Sequence, residues 1–150
     1  MLKVGDVAPD FVLPLVTGMV SLSGLRGKRV VLYFYPKDDT PGCTKEACSF
    51  RDHLPHFEEK GAVVLGVSPD PVRSHEKFAE KYQIPFILLA DVDHRVAEAY
   101  GVWGQKRFMG REYMGVLRTT FVIDEEGRVT RVFEDVKPDE HATEVLAALA

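Results

Sequence analysis

The sequence is poor in cysteine, with only Cys43 and Cys48 among its 150 residues. Two cysteines are too few for a disulfide-dense secreted scaffold, and a chain of this length can bury a sufficient core without disulfides. The two thiols lie only five residues apart, so each has a potential reaction partner close by. A thiol that becomes oxidised can then be attacked by its neighbour.

Long hydrophobic runs and long runs of one charge are also absent. No stretch approaches the roughly 20 apolar residues that cross a bilayer, and residues 1–6 lack an apolar signal segment. The net charge is −4, from 19 basic and 23 acidic residues that are mixed along the chain, which gives no electrostatic case for nucleic acid. These features predict a cytoplasmic protein without a membrane or nucleic-acid partner.

Hydrophobic patterning alternates between strands and helices in the first two thirds of the chain. Three apolar runs have the composition of buried strands, and each is followed by a segment with helical spacing. The predicted strands are Val30–Tyr35, Ala62–Val67 and Phe86–Ala90, and the predicted helices span residues 43–60, 71–82 and 94–100. Pro55 should kink or divide the first of these helices.

The sequence pattern in the last third of the chain predicts a loop, a hairpin and a closing helix. The ranges are Gly101–Leu117 for a Gly- and aromatic-rich loop, Thr119–Asp124 and Arg128–Phe133 for the hairpin strands, and Asp139–Ala150 for the helix. This order predicts one α/β domain over residues 1–150, with a central mixed sheet flanked by helices on both faces. A flavodoxin-like parallel sheet also fits the early part, but the hairpin favours a thioredoxin-like fold. We also expect an N-terminal β-hairpin extension.

The residues before Cys43 predict a helix that begins close to the thiol. Thr40 is a favoured N-cap and Pro41 suits the next position, which makes Cys43 the third helical residue. Free backbone N–H groups and the helix dipole at that end stabilise a thiolate and any anionic oxygen that approaches it. The dipole supplies only about 0.3–1 kcal/mol, or about 2 kcal/mol in a good site.

A nearby cation is therefore expected. Lowering a thiol pKa by about two units corresponds to about 2.7 kcal/mol, and Glu46, one turn beyond Cys43, acts in the opposite direction. Lys37 and Lys45 are local candidates, and a better candidate is Arg118, which opens a predicted strand. The sequence alone does not place Arg118 beside Cys43, and its position by itself favours a solvated charge at the end of a strand.

The spacing of the cysteines restricts how they could pair. Five residues along a helix give a rise of about 7.5 Å and a rotation of about 140°, so the two Cα atoms lie about 8.7 Å apart. Two cysteines separated by more than about 7 Å cannot form a disulfide without backbone movement. We therefore expect the first turns of the helix to unwind if Cys43 and Cys48 become linked.

Other interpretations of the cysteines are open at this point. Cys43 and Cys48 could be small buried hydrophobes, or zinc ligands together with His53 and His56. The last gap in that set is short, and four ligands on one helix could not surround a metal tetrahedrally. A disulfide oxidoreductase would use Cys-x-x-Cys, so the wider spacing counts against it.

The remaining histidines and the aromatic residues of the loop have less specific patterns. His75, His94 and His141 have no partners in the sequence, so we expect them at the surface or at helix caps. The aromatic residues Trp103, Phe108 and Tyr113 could form a patch for a redox partner. We favour the alternative that they pack the loop onto the domain.

Pro36-x-x-x-Thr40-x-x-Cys43 is similar to the active-site motif of peroxiredoxins. Cys48 resembles the resolving position of their bacterioferritin comigratory protein (PrxQ) subfamily. The resemblance covers most of the chain and continues through an ordered set of shorter segments: Gly5–Phe11, Gly66–Ser68, Phe78–Tyr82, Asp91–His94, Gly101–Gly104, Phe108–Gly110 and Arg118–Asp124.

This resemblance implies a thiol peroxidase that uses no metal, flavin or haem. Cys43 resembles the peroxidatic cysteine, and Thr40 and Arg118 resemble the residues that bind the peroxide. Pro36 resembles the proline that shields the site from water. Cys48 resembles the resolving cysteine, whose intramolecular disulfide with Cys43 would be reduced by thioredoxin or a similar dithiol protein. Members of the subfamily are often monomers, so we expect a monomer.

Overall fold

The computed structural model describes residues 1–149, which contain nine β-strands and four α-helices. The strands are β1 (Val12–Leu15), β2 (Gly18–Ser21), β3 (Arg29–Phe34), β4 (Ala62–Ser68), β5 (Ile87–Ala90), β6 (Trp103–Phe108), β7 (Arg111–Val116), β8 (Thr119–Ile123) and β9 (Val129–Phe133). The helices are α1 (Pro41–Glu59), α2 (Val72–Tyr82), α3 (Arg95–Ala99) and α4 (His141–Ala148).

Five strands form the central sheet in the order β5-β4-β3-β8-β9. Strands β3, β4 and β5 are parallel, whereas β8 runs antiparallel to β3 and β9 antiparallel to β8. The predicted mixed sheet of a thioredoxin-like fold is therefore confirmed, and the flavodoxin-like alternative is wrong. Strands β1 and β2 form the expected N-terminal hairpin.

Alternation along β3 divides the interior into two cores, one on each face of the sheet. Tyr33 faces a core built with α1, α2 and α4, and Phe34 faces a core that includes the N-terminal hairpin and α3. Both side chains are almost completely buried. Helices thus cover both faces, as predicted.

Helix α1 runs without interruption through Pro55, so the prediction that this proline could divide the helix is wrong. Pro55 lacks the N–H that would bond to the carbonyl of Arg51, and its ring crowds that carbonyl. The helix is held on both sides of that position because Phe50 and Phe57 are fully buried in the same core.

The segment predicted as a loop between Gly101 and Leu117 is mostly a second hairpin, formed by β6 and β7. Its two-residue turn has positive φ at both Met109 and Gly110, which is the pattern of a type I′ turn. The strands were missed because their residues are largely exposed and polar, so the hydrophobic alternation that marks a strand is weak.

The final helix is shorter than predicted, since α4 covers His141–Ala148 instead of 139–150, and Ala150 lies outside the described residues. Among residues 1–149, no helix combines the length and apolar composition required to cross a membrane.

Candidate active site

Cys43 lies where the loop Pro36–Thr40, which follows β3, turns into helix α1. It is the third residue of that helix, and only 1% of its surface is exposed. Its side chain belongs to the same core as Ala47 and Phe50. The thiol therefore sits close to the free N–H groups of the first turn while being shielded from bulk water.

Sheet pairing carries Arg118 to the thiol across 75 positions of sequence. Thr119, the first residue of β8, pairs with Phe34, the last residue of β3. Arg118, which directly precedes β8, therefore lies at the end of the sheet from which the loop to Cys43 departs. The Arg118 Nη2 atom lies 3.2 Å from Cys43 Sγ. Gly42 leaves room for this approach, because a Cβ at that position would lie 3.2 Å from the same Nη2.

Glu46 holds the other side of the guanidinium. Arg118 Nη1 donates to Glu46 Oε1 at 2.6 Å, and the Glu46 side chain is fully buried. Burial disfavours the Arg118 cation, but the charges of Glu46 and then Cys43 outweigh that effect and raise the pKa of Arg118. Glu46 therefore also orients the cation beside Cys43, a role that its position in the sequence did not indicate.

Burial also acts on Glu46 itself. Desolvation raises the pKa of the Glu46 carboxyl to about 7, although Arg118 opposes the shift. Its second oxygen, Oε2, has no hydrogen-bond partner among the described residues. The folded protein therefore binds a proton at Glu46 more tightly than the unfolded chain does.

This difference makes a prediction for stability. The free energy of unfolding should fall as the pH rises from about 4.5 to about 7, because the unfolded chain loses this proton first. The loss attributable to Glu46 is about 3 kcal/mol. In Glu46→Gln this component should disappear, as measured by urea unfolding of the reduced protein at pH 5 and pH 8. The exposed Glu76→Gln is the control, and an unchanged pH dependence in Glu46→Gln would contradict the prediction.

Thr40 and Pro36 lie at the two ends of the loop before α1. Thr40 occupies the N-cap position, but its hydroxyl donates to the Lys37 carbonyl at 2.9 Å and makes no capping bond to the helix. Its own carbonyl accepts the first helical hydrogen bond, from the N–H of Thr44. Pro36 is half-buried and lies two residues after the end of β3. Both residues therefore belong to the segment that leads directly into the helix start at Cys43.

Cys48 lies in the same uninterrupted helix as Cys43, is half-buried, and carries a free thiol, as Cys43 does. In the folded molecule the two cysteines are therefore separated by five residues of regular helix. A bond between the two sulfurs requires the start of α1 to unwind. Arg51, one turn beyond Cys48, donates to the Tyr82 carbonyl at the end of α2.

The local lysines lie away from the thiol. Lys45 is 64% exposed and faces Asp139, and Lys37 is exposed in the loop. Among the described residues, the proposed zinc set of Cys43, Cys48, His53 and His56 does not converge into a group that could hold a metal.

One cluster does have the spacing of metal ligands, namely Asp38, Asp70 and His75. Asp38 and His75 bond directly to each other, and Asp70 accepts from the Asp38 backbone and from Ser68. We therefore describe it as a hydrogen-bonded network. The prediction that His75 is at the surface or in a cap is wrong, because it is 3% exposed.

His141 is also buried, contrary to the same prediction. Its Nε2 lies 2.6 Å from the hydroxyl of Thr120 on β8. Burial lowers the pKa of His141, and Glu144 opposes that shift.

Trp103 packs against His94 with ring centroids 3.9 Å apart, whereas Phe108 and Tyr113 are 66% and 47% exposed. The prediction that these aromatic residues pack onto the domain is therefore confirmed for Trp103 and wrong for Phe108 and Tyr113.

Sequence reasoning missed Glu46 as a partner of Arg118, and it missed His75. A signal for Glu46 existed, because it lies three residues after Cys43 and therefore on the same helix face. His75 had no such signal, since its partners come from distant parts of the chain.

The chain is similar to known proteins over almost all of its length. The model of the AhpC/TSA family matches residues 4–132. The peroxiredoxin Bcp of Bacillus subtilis is 50% identical over 149 residues, covering 99% of this chain and 95% of its own. The peroxiredoxin Bcp of Escherichia coli is 47% identical over 146 residues, covering 97% and 94%.

Solved structures give the same result. A structure of the bacterioferritin comigratory protein of Xanthomonas campestris superposes with a TM-score of 0.90 at 40% sequence identity, covering 99% of this chain and 95% of that one. The chain therefore belongs to the AhpC/TSA family, and within it to the bacterioferritin comigratory protein (PrxQ) group of peroxiredoxins.

Proposed function

We propose that this peroxiredoxin reduces hydrogen peroxide and organic hydroperoxides through Cys43, with Cys48 as the resolving cysteine and a thioredoxin-like dithiol protein as reductant. The observation that carries the proposal is the 3.2 Å contact between Arg118 Nη2 and Cys43 Sγ at the start of α1. The X. campestris relative is described in connection with alkyl peroxide reduction, which supports an organic substrate class.

In the first step the Cys43 thiolate attacks one oxygen of the peroxide. The S–O bond forms as the O–O bond breaks, so Cys43 becomes a sulfenic acid and the leaving oxygen takes up a proton to give water or an alcohol. Arg118 and the N–H groups at the helix start stabilise the negative charge that develops on the leaving oxygen. Thr40 positions the peroxide, and Pro36 limits the access of water.

In the second step the Cys48 thiolate attacks the Cys43 sulfur. The first turns of α1 unwind to bring the sulfurs together. The S–S bond forms as the S–O bond of the sulfenic acid breaks, and the departing hydroxide takes up a proton to give water. Two thiols of the reductant then restore Cys43 and Cys48 by disulfide exchange. Residues 1–150 act as one monomeric domain in this cycle, with no metal, flavin or haem.

The direct test is peroxide consumption by the purified protein with thioredoxin, thioredoxin reductase and NADPH. We expect continuous consumption of hydrogen peroxide and of an alkyl hydroperoxide, with one NADPH oxidised per peroxide. Omitting thioredoxin should stop turnover. Failure of the complete mixture to consume either peroxide would contradict the proposed function.

Replacing Cys48 by serine separates the two steps. Cys48→Ser should still consume about one peroxide per protein molecule, because Cys43 is untouched, but it should lose turnover supported by thioredoxin. Mass spectrometry should find a sulfenic acid or its further oxidation products on Cys43. The neighbouring half-buried Ser49 offers a control as Ser49→Ala, and full thioredoxin-supported turnover in Cys48→Ser would exclude Cys48 as the resolving residue.

A further inference from the structure

A network of buried polar groups lies beneath the loop that leads to Cys43. Asp38, in the middle of that loop, is 8% exposed. Its carboxylate accepts from Tyr35 Oη at 2.6 Å, from Ser74 Oγ at 2.7 Å and from His75 Nδ1 at 2.7 Å. Its backbone N–H donates to Asp70 Oδ2 at 2.7 Å. The centre of the loop is thus held by its main chain and by its side chain.

His75 is the member of the network that joins this loop to the sheet. Its Nε2 lies 3.0 Å from the Leu89 carbonyl on β5, an oxygen that can only accept, so Nε2 carries a proton. Its Nδ1 lies 2.7 Å from an Asp38 carboxylate oxygen. Burial disfavours the Asp38 carboxylate, but hydrogen bonds from His75 and Tyr35 outweigh burial and lower the pKa of Asp38.

The next residue of the loop is held by the same helix. Asp39 has a positive φ of 57°, and its carboxylate accepts from Lys81 Nζ and Tyr82 Oη, each at 2.8 Å. The anchors of Asp39, and two of those of Asp38, therefore come from α2, whereas Cys43 and Cys48 lie on α1. The loop can stay attached to α2 when the beginning of α1 changes conformation.

We propose that His75 is a positioning residue of the peroxidase cycle, which fixes Asp38 and thereby the loop that carries Pro36 and Thr40. Asp38 lies two residues from each of them, so a shift of its main chain displaces both borders of the peroxide site. Reaction requires reacting groups to be held within a fraction of an ångström. This inference rests on the proposed peroxidase function.

Two substitutions of His75 separate its two hydrogen bonds. In His75→Asn the side-chain amide can replace Nδ1 and still donate to Asp38, whereas in His75→Gln it can replace Nε2 and reach the Leu89 carbonyl. Each variant keeps one bond and loses the other, so both should lose some stability. Only the glutamine variant removes an anchor of the loop, while Tyr35, Ser74 and Asp70 continue to hold Asp38.

The readout is the rate of each step after mixing with hydrogen peroxide, followed by acid quenching and mass spectrometry of Cys43. Oxidation of Cys43 should be about tenfold slower in His75→Gln than in the wild type, as expected for the loss of a hydrogen bond to a charged group. In His75→Asn it should stay within about threefold of the wild-type rate. Disulfide formation should not be slowed in either variant. That step requires the start of α1 to unwind, so it does not depend on the exact position of the loop in the folded site.

Equal oxidation rates in the two variants would overturn the inference, as would a slowing of both steps by the same factor. Urea unfolding of both variants checks that their stabilities are matched. If one of them does not fold, Asp38→Asn provides the comparison, because it removes the carboxylate and leaves the contact of His75 with Leu89. Asp38→Asn should then slow oxidation to the extent expected for His75→Gln. Absence of any Cys43 oxidation in the wild type would instead contradict the proposed function.

Discussion

Peroxide consumption should fall to the background rate when Cys43 is replaced by serine. A serine hydroxyl has nearly the same shape, but it is neither ionised near neutral pH nor able to accept oxygen from a peroxide. The contact with Arg118 and the position at the start of α1 would remain, so the loss isolates the sulfur. The assay is NADPH oxidation with thioredoxin and thioredoxin reductase.

The two cysteine substitutions form a matched pair, since both exchange a thiol for a hydroxyl within the same helix. Cys48→Ser should give one turnover, and Cys43→Ser should give none. Circular dichroism checks that both variants keep the helix content of the reduced protein. Sustained turnover in Cys43→Ser would remove Cys43 from the mechanism and with it the proposed first step.

Oxidation of Cys43 should be slowed by about 10²–10³-fold in Arg118→Ala. Removing one preorganised donor from a site where negative charge develops typically has an effect of this size. The Arg118 side chain is only 18% exposed, so water cannot easily take its place as a hydrogen-bond donor in the variant. The variant also leaves Glu46 buried without its cation, which destabilises the fold. The rate should be measured by single-turnover oxidation, with the folded fraction measured separately.

Arg118→Lys distinguishes charge from geometry. A lysine keeps the positive charge but lacks the planar fork that contacts Cys43 and Glu46 at once, so its rate should lie between those of the wild type and Arg118→Ala. Arg29→Ala is the control, because Arg29 is a partly buried arginine that donates to the Leu149 carbonyl away from the thiol. A wild-type oxidation rate in Arg118→Ala would exclude an electrostatic role for this residue.

Much of the fold could be predicted from the sequence because its strands are apolar and its helices amphipathic. The strand predicted at Val30–Tyr35 corresponds to β3 at Arg29–Phe34, and the predicted helix 71–82 corresponds to α2. The hairpin of β6 and β7 could not be predicted in this way. Its pairing is set by the turn at Met109 and Gly110, and its exposed residues carry no core pattern.

The site was predictable where residue types are chemically unusual. Cys43 and Thr40 follow from a local motif, and Arg118 followed only from the resemblance to peroxiredoxins. The roles of Glu46 and His75 depend on burial, which arises from packing of elements that are far apart in sequence. A buried carboxylate and a surface carboxylate look identical in sequence, so their different effects become visible only in the folded chain.

Cys43 and Ala47 are members of the core that also contains Phe50. If the start of α1 must unwind to form the disulfide, each oxidation exposes apolar surface that this core buries in the reduced protein. The stability of the reduced protein and the ease of reducing its disulfide then become linked quantities of one thermodynamic cycle. A substitution that packs this part of α1 more tightly would make the enzyme a stronger oxidant of its reductant, and a looser core would make it a weaker one.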